Sequence, residues 1–263
     1  MTTPPRPGHR PAQVDHPAAV AAETARFAAV VAAADPATPV PTCPGWTLAD
    51  LVRHAGSVQR WFSVLLHQRV QQPPRSREVD LQLPADPAGY PDWLAASAEV
   101  AATAFAATGP DEPMYAWGAD QHARFWARRM LFETLVHRVD AELALGVEPS
   151  IDPATAADGV DEFLVNLPFA TLFAPDVAKL RGAGETIRFR RTDGDGDWLV
   201  RLRPDGFALD PAATSGTEAD ATVRGTAADL LLLVYGRLPH RAEVFELDGD
   251  QALLDHWFAH SAF

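Results

Sequence analysis

The sequence predicts an α+β protein in which a four-helix bundle is followed by a small α+β domain. Through about the first 145 positions, apolar residues recur at helical spacing between proline and glycine breaks. Beyond the proline-containing segment 148–153, apolar and polar residues alternate with the period of β-strands. We therefore expect a disordered, proline-rich leader over 1–15, a helical domain over 16–148 and an α+β domain over 149–263.

Helix-stop and helix-start signals divide the first domain into its four helices. Thr47 and Asp50 have the spacing of a capping box at the start of the second helix. Gly146 provides a stop after the fourth helix. The helices are expected over about 17–34, 47–72, 91–107 and 120–145.

The second domain is expected to begin with a helix over about 153–169. A hairpin follows, because two alternating segments flank the Asp-Gly-Asp-Gly turn at 193–196. Its strands are expected at about 186–190, 198–202, 207–209, 221–223 and 244–247, and its further helices at about 227–235 and 251–259.

Composition excludes several classes of function. The net charge is −13 and the chain has a single lysine, so a nucleic-acid partner is not expected. One cysteine cannot form an internal disulfide, which is typical of a reducing compartment. The sequence shows no apolar run long enough for a membrane span, and we expect a cytoplasmic protein without a membrane partner.

Three polar side chains fall within the apolar arcs of two helices. Glu133 and His137 are four residues apart on the fourth helix, which places them on one side of it. His54 lies at the edge of the apolar stripe of the second helix. Burying these groups costs free energy unless they are paired or bind a metal. Two imidazoles and a carboxylate suit zinc, and also nickel, cobalt or iron, and three protein ligands leave a position open for catalysis.

The same residues allow an interpretation without a metal. Arg129 is also four residues from Glu133 and could form an ordinary ion pair with it. His54 could be a core histidine bonded to a backbone carbonyl. Cys43, just before the second helix, could be a nucleophile with a lowered pKa or a small buried apolar residue.

Two segments carry a resemblance to a known family. VPTCPGWTLADLVRHAG at 40–56 and WARRMLFETLVHRVDAELALG at 126–146 resemble the mycothiol-dependent maleylpyruvate isomerase family, which belongs to the DinB-like metal-binding helical bundles. VRGTAADLLLLVYGRLP at 223–239 is similar to the second domain of that family, which has a sterol-carrier-like fold. The resemblance covers most of the first domain and a shorter part of the second.

The resemblance implies a divalent metal, most simply zinc, held by His54, Glu133 and His137. It also implies mycothiol as the thiol cofactor and an isomerase or S-transferase that acts on a small electrophile. Cys43 is then a structural residue, because the reactive thiol comes from the cofactor. A metal-assisted hydrolase without a thiol and a non-catalytic small-ligand or metal-binding protein remain as alternatives, and no side chain is assigned as the general base.

Arg237, in the Tyr-Gly-Arg-Leu-Pro segment, is a candidate for binding the substrate. Its guanidinium could reach across the domain interface to bind a carboxylate, a task that suits an arginine fork. It could equally be an exposed residue at a helix end.

Overall fold

The computed structural model describes residues 14–72 and 79–262. Contacts divide the chain into a unit of residues 15–150 and a unit that begins at residue 151. Helices form the first unit, and helices with a five-stranded sheet form the second, so the expected α+β class is confirmed. The leader expected over 1–15 lies outside the described residues apart from Val14 and Asp15.

The first unit is built from four helices within the described residues, namely α1 His16–Val31, α2 Leu48–Gln68, α3 Tyr90–Ala107 and α4 Ala123–Ala144. Both α1 and α2 pack against α3 and α4. The capping box at the start of α2 forms as expected, with the Thr47 and Asp50 side chains each bonded to the backbone of the other residue. A short 3-10 turn at Pro87–Gly89 leads into α3.

The fourth helix begins three residues later than its predicted start at 120. Pro113 and His122 form an isolated antiparallel bridge, and Met114 N donates to Gln121 O at 3.1 Å. This pairing holds 120–122 extended, so the helix starts at Ala123.

The core of the first unit consists of apolar side chains with almost no exposed surface, among them Phe27, Leu51, Phe62, Leu94 and Leu135. Each such residue contributes about 1.5–3 kcal/mol through burial. Gly56 lies where α2 meets α3, and a Cβ on it would stand 2.3 Å from Trp93 Cζ3. Glycine there lets the Trp93 ring pack directly on the α2 backbone.

A buried arginine joins α1, α4 and the segment after α4. Arg138 has no exposed side-chain surface, and its Nε donates to Glu23 Oε2 at 2.6 Å. Its Nη1 donates to Glu142, and its Nη2 donates to Ser150 O at 3.3 Å. Burial raises the pKa of Glu142, although the charges of Arg138 and Arg26 oppose that shift.

The second unit begins with α5 Pro153–Asn166 and two 3-10 segments, Leu167–Leu172 and Pro175–Lys179. The α-helix stops before the predicted 169 because Pro168 has no backbone N–H to donate. Its remaining elements are β1 Thr186–Arg191, β2 Asp197–Arg203, β3 Gly206–Leu209, β4 Ala221–Gly225, α6 Ala227–Val234, β5 Glu246–Gly249 and α7 Gln251–His260.

The sheet has the order β3-β2-β1-β4-β5, in which β1 and β4 are parallel and the other pairs are antiparallel. The last strand begins two residues after its predicted start, because Phe245 N donates to Ala242 O and closes a turn there. Asp220 holds the start of β1, since its Oδ2 accepts from Thr186 N and Oγ1, both at 2.7 Å. These bonds lower the pKa of the Asp220 carboxyl.

Within residues 14–72 and 79–262, none of the helices is both long and apolar enough to cross a bilayer.

Candidate metal centre

A tight turn before α2 positions one side of the site. Trp46 N donates to Cys43 O at 3.0 Å, and Gly45 between them has a φ of +84°. Proline at 44 and a glycine with positive φ at 45 match a type II turn. The turn places the Trp46 indole against both imidazoles, with ring centroids 5.0 Å from His54 and 6.2 Å from His137.

The three candidate ligands predicted from helical spacing come together in the structure. His54 Nε2 lies 2.8 Å from Glu133 Oε1, and His137 Nε2 lies 3.3 Å from the same oxygen. The two imidazoles are nearly perpendicular, with centroids 4.9 Å apart. One ligand atom from each residue lies within 4.8 Å of the others. The three residues therefore form one cluster between α2 and α4.

A buried carboxylate orients one of the imidazoles. Asp140 has no exposed side-chain surface, and its Oδ2 lies 2.9 Å from His137 Nδ1. Because an ionised Asp140 accepts the proton of Nδ1, the lone pair of the neutral ring is left on Nε2. Cys43 Sγ donates to the same Asp140 oxygen at 3.4 Å. The cysteine thus contacts the carboxylate behind the cluster.

The ion pair considered as an alternative also forms. Arg129 Nη2 lies 3.2 Å from Glu133 Oε2, whereas the imidazoles contact Oε1. The two oxygens of Glu133 therefore have different partners, and the ion pair does not compete with the imidazoles. His54 bonds to this carboxylate, which argues against a core histidine that bonds only to the backbone.

Burial and hydrogen bonding act in opposite directions on the pKa values of the cluster. Burial alone would raise the pKa of Glu133, but hydrogen bonds from His137 and His54 hold it well below its usual range. Burial alone would lower the pKa of His137, but bonds with Asp140, Cys43 and Glu133 hold it well above its usual range. The surroundings of the cluster therefore favour an ionised Glu133 and a protonated His137.

The donor set fits a divalent cation such as zinc. Two imidazole nitrogens and a carboxylate oxygen are common zinc ligands, and the carboxylate on His137 Nδ1 is a frequent partner of a metal-binding histidine. A second group, formed by Cys43, His137 and Asp140, also lies within 4.8 Å. Its Asp140 side chain is fully buried, whereas the His54 side chain is 34% exposed. The cluster with His54 therefore has access for a further ligand.

A cavity of about 550 Å³ opens beside His54. Its lining consists of Gly45, Trp46, Asp50, Arg53, His54, Ser57, Leu81 and Leu83. All of these residues belong to the first unit. His54 is the member of the cluster that lines the cavity.

Arg237 lies in the second unit, directly after α6 and Gly236. The side chain is half-buried, and its Nη1 donates to Tyr235 O at 2.7 Å. Its role in binding substrate stays a prediction.

Two family models match the chain. A family model described as the mycothiol maleylpyruvate isomerase N-terminal domain matches residues 18–142, and one described as the MDMPI C-terminal domain matches residues 154–256. A search of curated proteins found no match.

Two solved structures share the fold. A crystal structure of the mycothiol-dependent maleylpyruvate isomerase is 15% identical, with a TM-score of 0.58 over 89% of this chain and 92% of that one. A histidine-to-alanine mutant of that isomerase is 14% identical, with the same TM-score and coverage. On the two family models, which together span most of its length, the chain belongs to the mycothiol-dependent maleylpyruvate isomerase family.

Proposed function

We propose that the chain is an enzyme that depends on a divalent metal, zinc in the simplest case, and on mycothiol, and that it isomerises or conjugates a small electrophile. One observation carries the proposal. A single carboxylate oxygen, Glu133 Oε1, lies within 3.3 Å of two imidazole Nε2 atoms beside a cavity. Family membership supplies the thiol and the class of reaction.

His54, Glu133 and His137 would hold the metal. A bound divalent ion lowers the pKa of a coordinated thiol or water, so that its anion is available at neutral pH. The surrounding residues fix the ligands. Asp140 keeps the His137 lone pair on Nε2, and Arg129 holds Glu133 by its second oxygen.

Trp46 gives the cluster an apolar side. Its indole packs on both imidazoles, which restricts their rotation and keeps water from that face. An isomerase returns the thiol unchanged and a transferase consumes it, and these residues serve either outcome.

Metal content is the first test, compared by elemental mass spectrometry in wild type, His137→Ala and His122→Ala. His122 is a matched control, because it pairs with Asp120 at 2.6 Å outside the cluster. We expect about one zinc per chain in wild type and in the control, and a loss of more than tenfold in His137→Ala. Zinc-reconstituted wild type that holds no metal would contradict the proposal.

The second test is thiol dependence with maleylpyruvate as the electrophile. We expect activity that requires both zinc and mycothiol. Activity with zinc alone would instead indicate a metal-assisted hydrolase, and ligand binding that survives His137→Ala without any turnover would indicate a non-catalytic binding protein.

Arg237 is proposed to bind a substrate carboxylate. Arg237→Ala is then expected to raise KM for the electrophile at least tenfold without changing the zinc content. An unchanged KM would remove this role.

A further inference from the structure

A second set of metal-binding side chains meets His137 at its other ring nitrogen. Cys43 Sγ donates to Asp140 Oδ2 at 3.4 Å, and His137 Nδ1 lies 2.9 Å from the same oxygen. One ligand atom from each of the three residues lies within 4.8 Å of the others. We call Cys43, His137 and Asp140 the Cys43 site. It shares only His137 with the cluster, which contacts that imidazole through Nε2.

The distances within the Cys43 site are close to those that a single bound ion requires. Tetrahedral bonds of about 2.3 Å to sulfur and about 2.0 Å to nitrogen and oxygen separate sulfur from oxygen by about 3.5 Å, and nitrogen from oxygen by about 3.3 Å. The observed separations from Asp140 Oδ2 are 3.4 Å and 2.9 Å. Cys43 lies on the turn before α2 rather than on a helix, so a small movement of that turn admits a larger ion.

The donors of the Cys43 site favour a soft ion. A thiolate selects copper(I) and related thiophilic ions, whereas the cluster of two imidazoles and a carboxylate contains no sulfur. The side chain of Asp140 has no exposed surface and that of His137 is 13% exposed, so an ion bound there is largely withdrawn from water. Because a coordinating thiol loses its proton, the Cys43 thiolate and the Asp140 carboxylate together balance two positive charges, which lowers the cost of burying a divalent ion.

A neutral His137 cannot bind an ion in the Cys43 site and in the cluster at the same time. When Asp140 accepts the proton of Nδ1, the lone pair lies on Nε2, 3.3 Å from Glu133 Oε1. An ion in the Cys43 site needs the lone pair on Nδ1. The ring proton then resides on Nε2, where Glu133 accepts it, and Nε2 is no longer a ligand. Occupation of the Cys43 site therefore removes one of the three zinc ligands of the cluster.

We propose that Cys43, His137 and Asp140 form a second metal site, which binds a thiophilic ion such as cadmium or copper(I) and displaces zinc by taking His137 from the cluster. Binding at the Cys43 site is independent of the proposed function. The displacement rests on the proposed function, because it requires zinc in the cluster. The single cysteine then makes the zinc centre sensitive to soft metals.

Titration of the zinc-loaded full chain with cadmium tests the inference, with ultraviolet absorption and elemental mass spectrometry after desalting as readouts. Because Cys43 is the only cysteine, a thiolate-to-cadmium charge-transfer band reports this residue alone. We expect wild type to bind about one cadmium per chain and to lose its zinc as the band develops. Cys43→Ser keeps a donor to Asp140 but has no thiolate. We expect this variant to show no band and to need at least tenfold more cadmium for the same loss of zinc.

Three further variants distinguish a three-residue site from a cysteine that binds cadmium alone. His137→Ala removes one donor, and Asp140→Asn removes another while keeping the shape of the side chain. We expect each to weaken cadmium binding at least tenfold in competition with a chelator. Glu133→Gln is the matched control, because Glu133 belongs to the cluster and not to the Cys43 site. We expect it to keep the band and the wild-type cadmium affinity.

Equal cadmium affinity in wild type, His137→Ala and Asp140→Asn would overturn the inference, because Cys43 would then bind without the other two donors. A full charge-transfer band in wild type that keeps all its zinc would overturn the displacement through His137. Wild type that holds no zinc, yet shows a cadmium band that depends on Cys43, His137 and Asp140, would support the second site and contradict the proposed function.

Discussion

The Asp140 carboxylate, which bonds to His137 Nδ1, provides a direct test of the metal centre. Asp140→Asn keeps the shape of the side chain and removes the charge that accepts from His137 Nδ1 at 2.9 Å. Asp140 has no exposed surface, so water cannot replace the lost interaction. Loss of such a partner lowers metal affinity about 10- to 100-fold, which corresponds to about 1.4–2.8 kcal/mol. We therefore expect zinc dissociation to be at least tenfold more favourable in Asp140→Asn.

Competition with a chromophoric chelator measures this effect. Asp120→Asn is the matched control, because Asp120 pairs with His122 Nδ1 at 2.6 Å in the same unit but outside the cluster. We expect wild-type zinc affinity in the control. Urea unfolding of both metal-free variants separates a weaker site from a weaker fold. Zinc affinity in Asp140→Asn within twofold of wild type would refute the orienting role of Asp140.

Two further predictions concern stability. Arg138→Ala removes the closer of the two arginines that pair with the buried Glu142 carboxylate and leaves Arg26 at 3.7 Å, so we expect a loss of about 3–5 kcal/mol in urea unfolding, against less than about 1 kcal/mol for the exposed Arg124→Ala. Similar losses in the two variants would contradict this. Asp220 has a pKa below that of an unfolded aspartate, about 3.9, so its contribution is full above that pH and disappears as pH falls through the folded pKa. We expect Asp220→Asn to cost about 1 kcal/mol at pH 7, because the carboxylate is solvent-screened, and the difference from wild type to disappear as pH falls through the folded pKa. A stability difference that stays constant as the solution is acidified would contradict the linkage.

Helical periodicity alone predicts that the three candidate ligands lie close together, as they do in the structure. The spacing of Glu133 and His137 fixes their common side of α4, and the apolar stripe of α2 turns His54 towards them. Each of these relations depends on the periodicity of a single helix. The burial of apolar side chains then brings α2 and α4 together. The same local rules located the capping box at Thr47.

The contacts that surround the ligands could not be predicted in the same way. Cys43 and Asp140 are 97 residues apart, and their contact depends on how the turn before α2 meets α4. Trp93 and Arg60 bond to the segment 79–84, which supplies Leu81 and Leu83 to the cavity lining and carries no helical or strand pattern. The late start of α4 likewise results from pairing between residues of a loop. Each of these features depends on tertiary contacts, which the periodicity of the sequence does not predict.

The bonds that hold the segment 79–84 in place do not involve the side chains of Leu81 and Leu83. Trp93 bonds to the main-chain carbonyl of Leu81, and Arg60 bonds to the side chain of Gln82. Neither bond uses the side chain at 81 or 83, although both residues line the cavity. Substitutions at these two positions therefore change the shape and polarity of the cavity lining and leave the bonds that hold the segment intact. Positions 81 and 83 are the natural places to diversify a library in which ligand preference is selected on a constant scaffold.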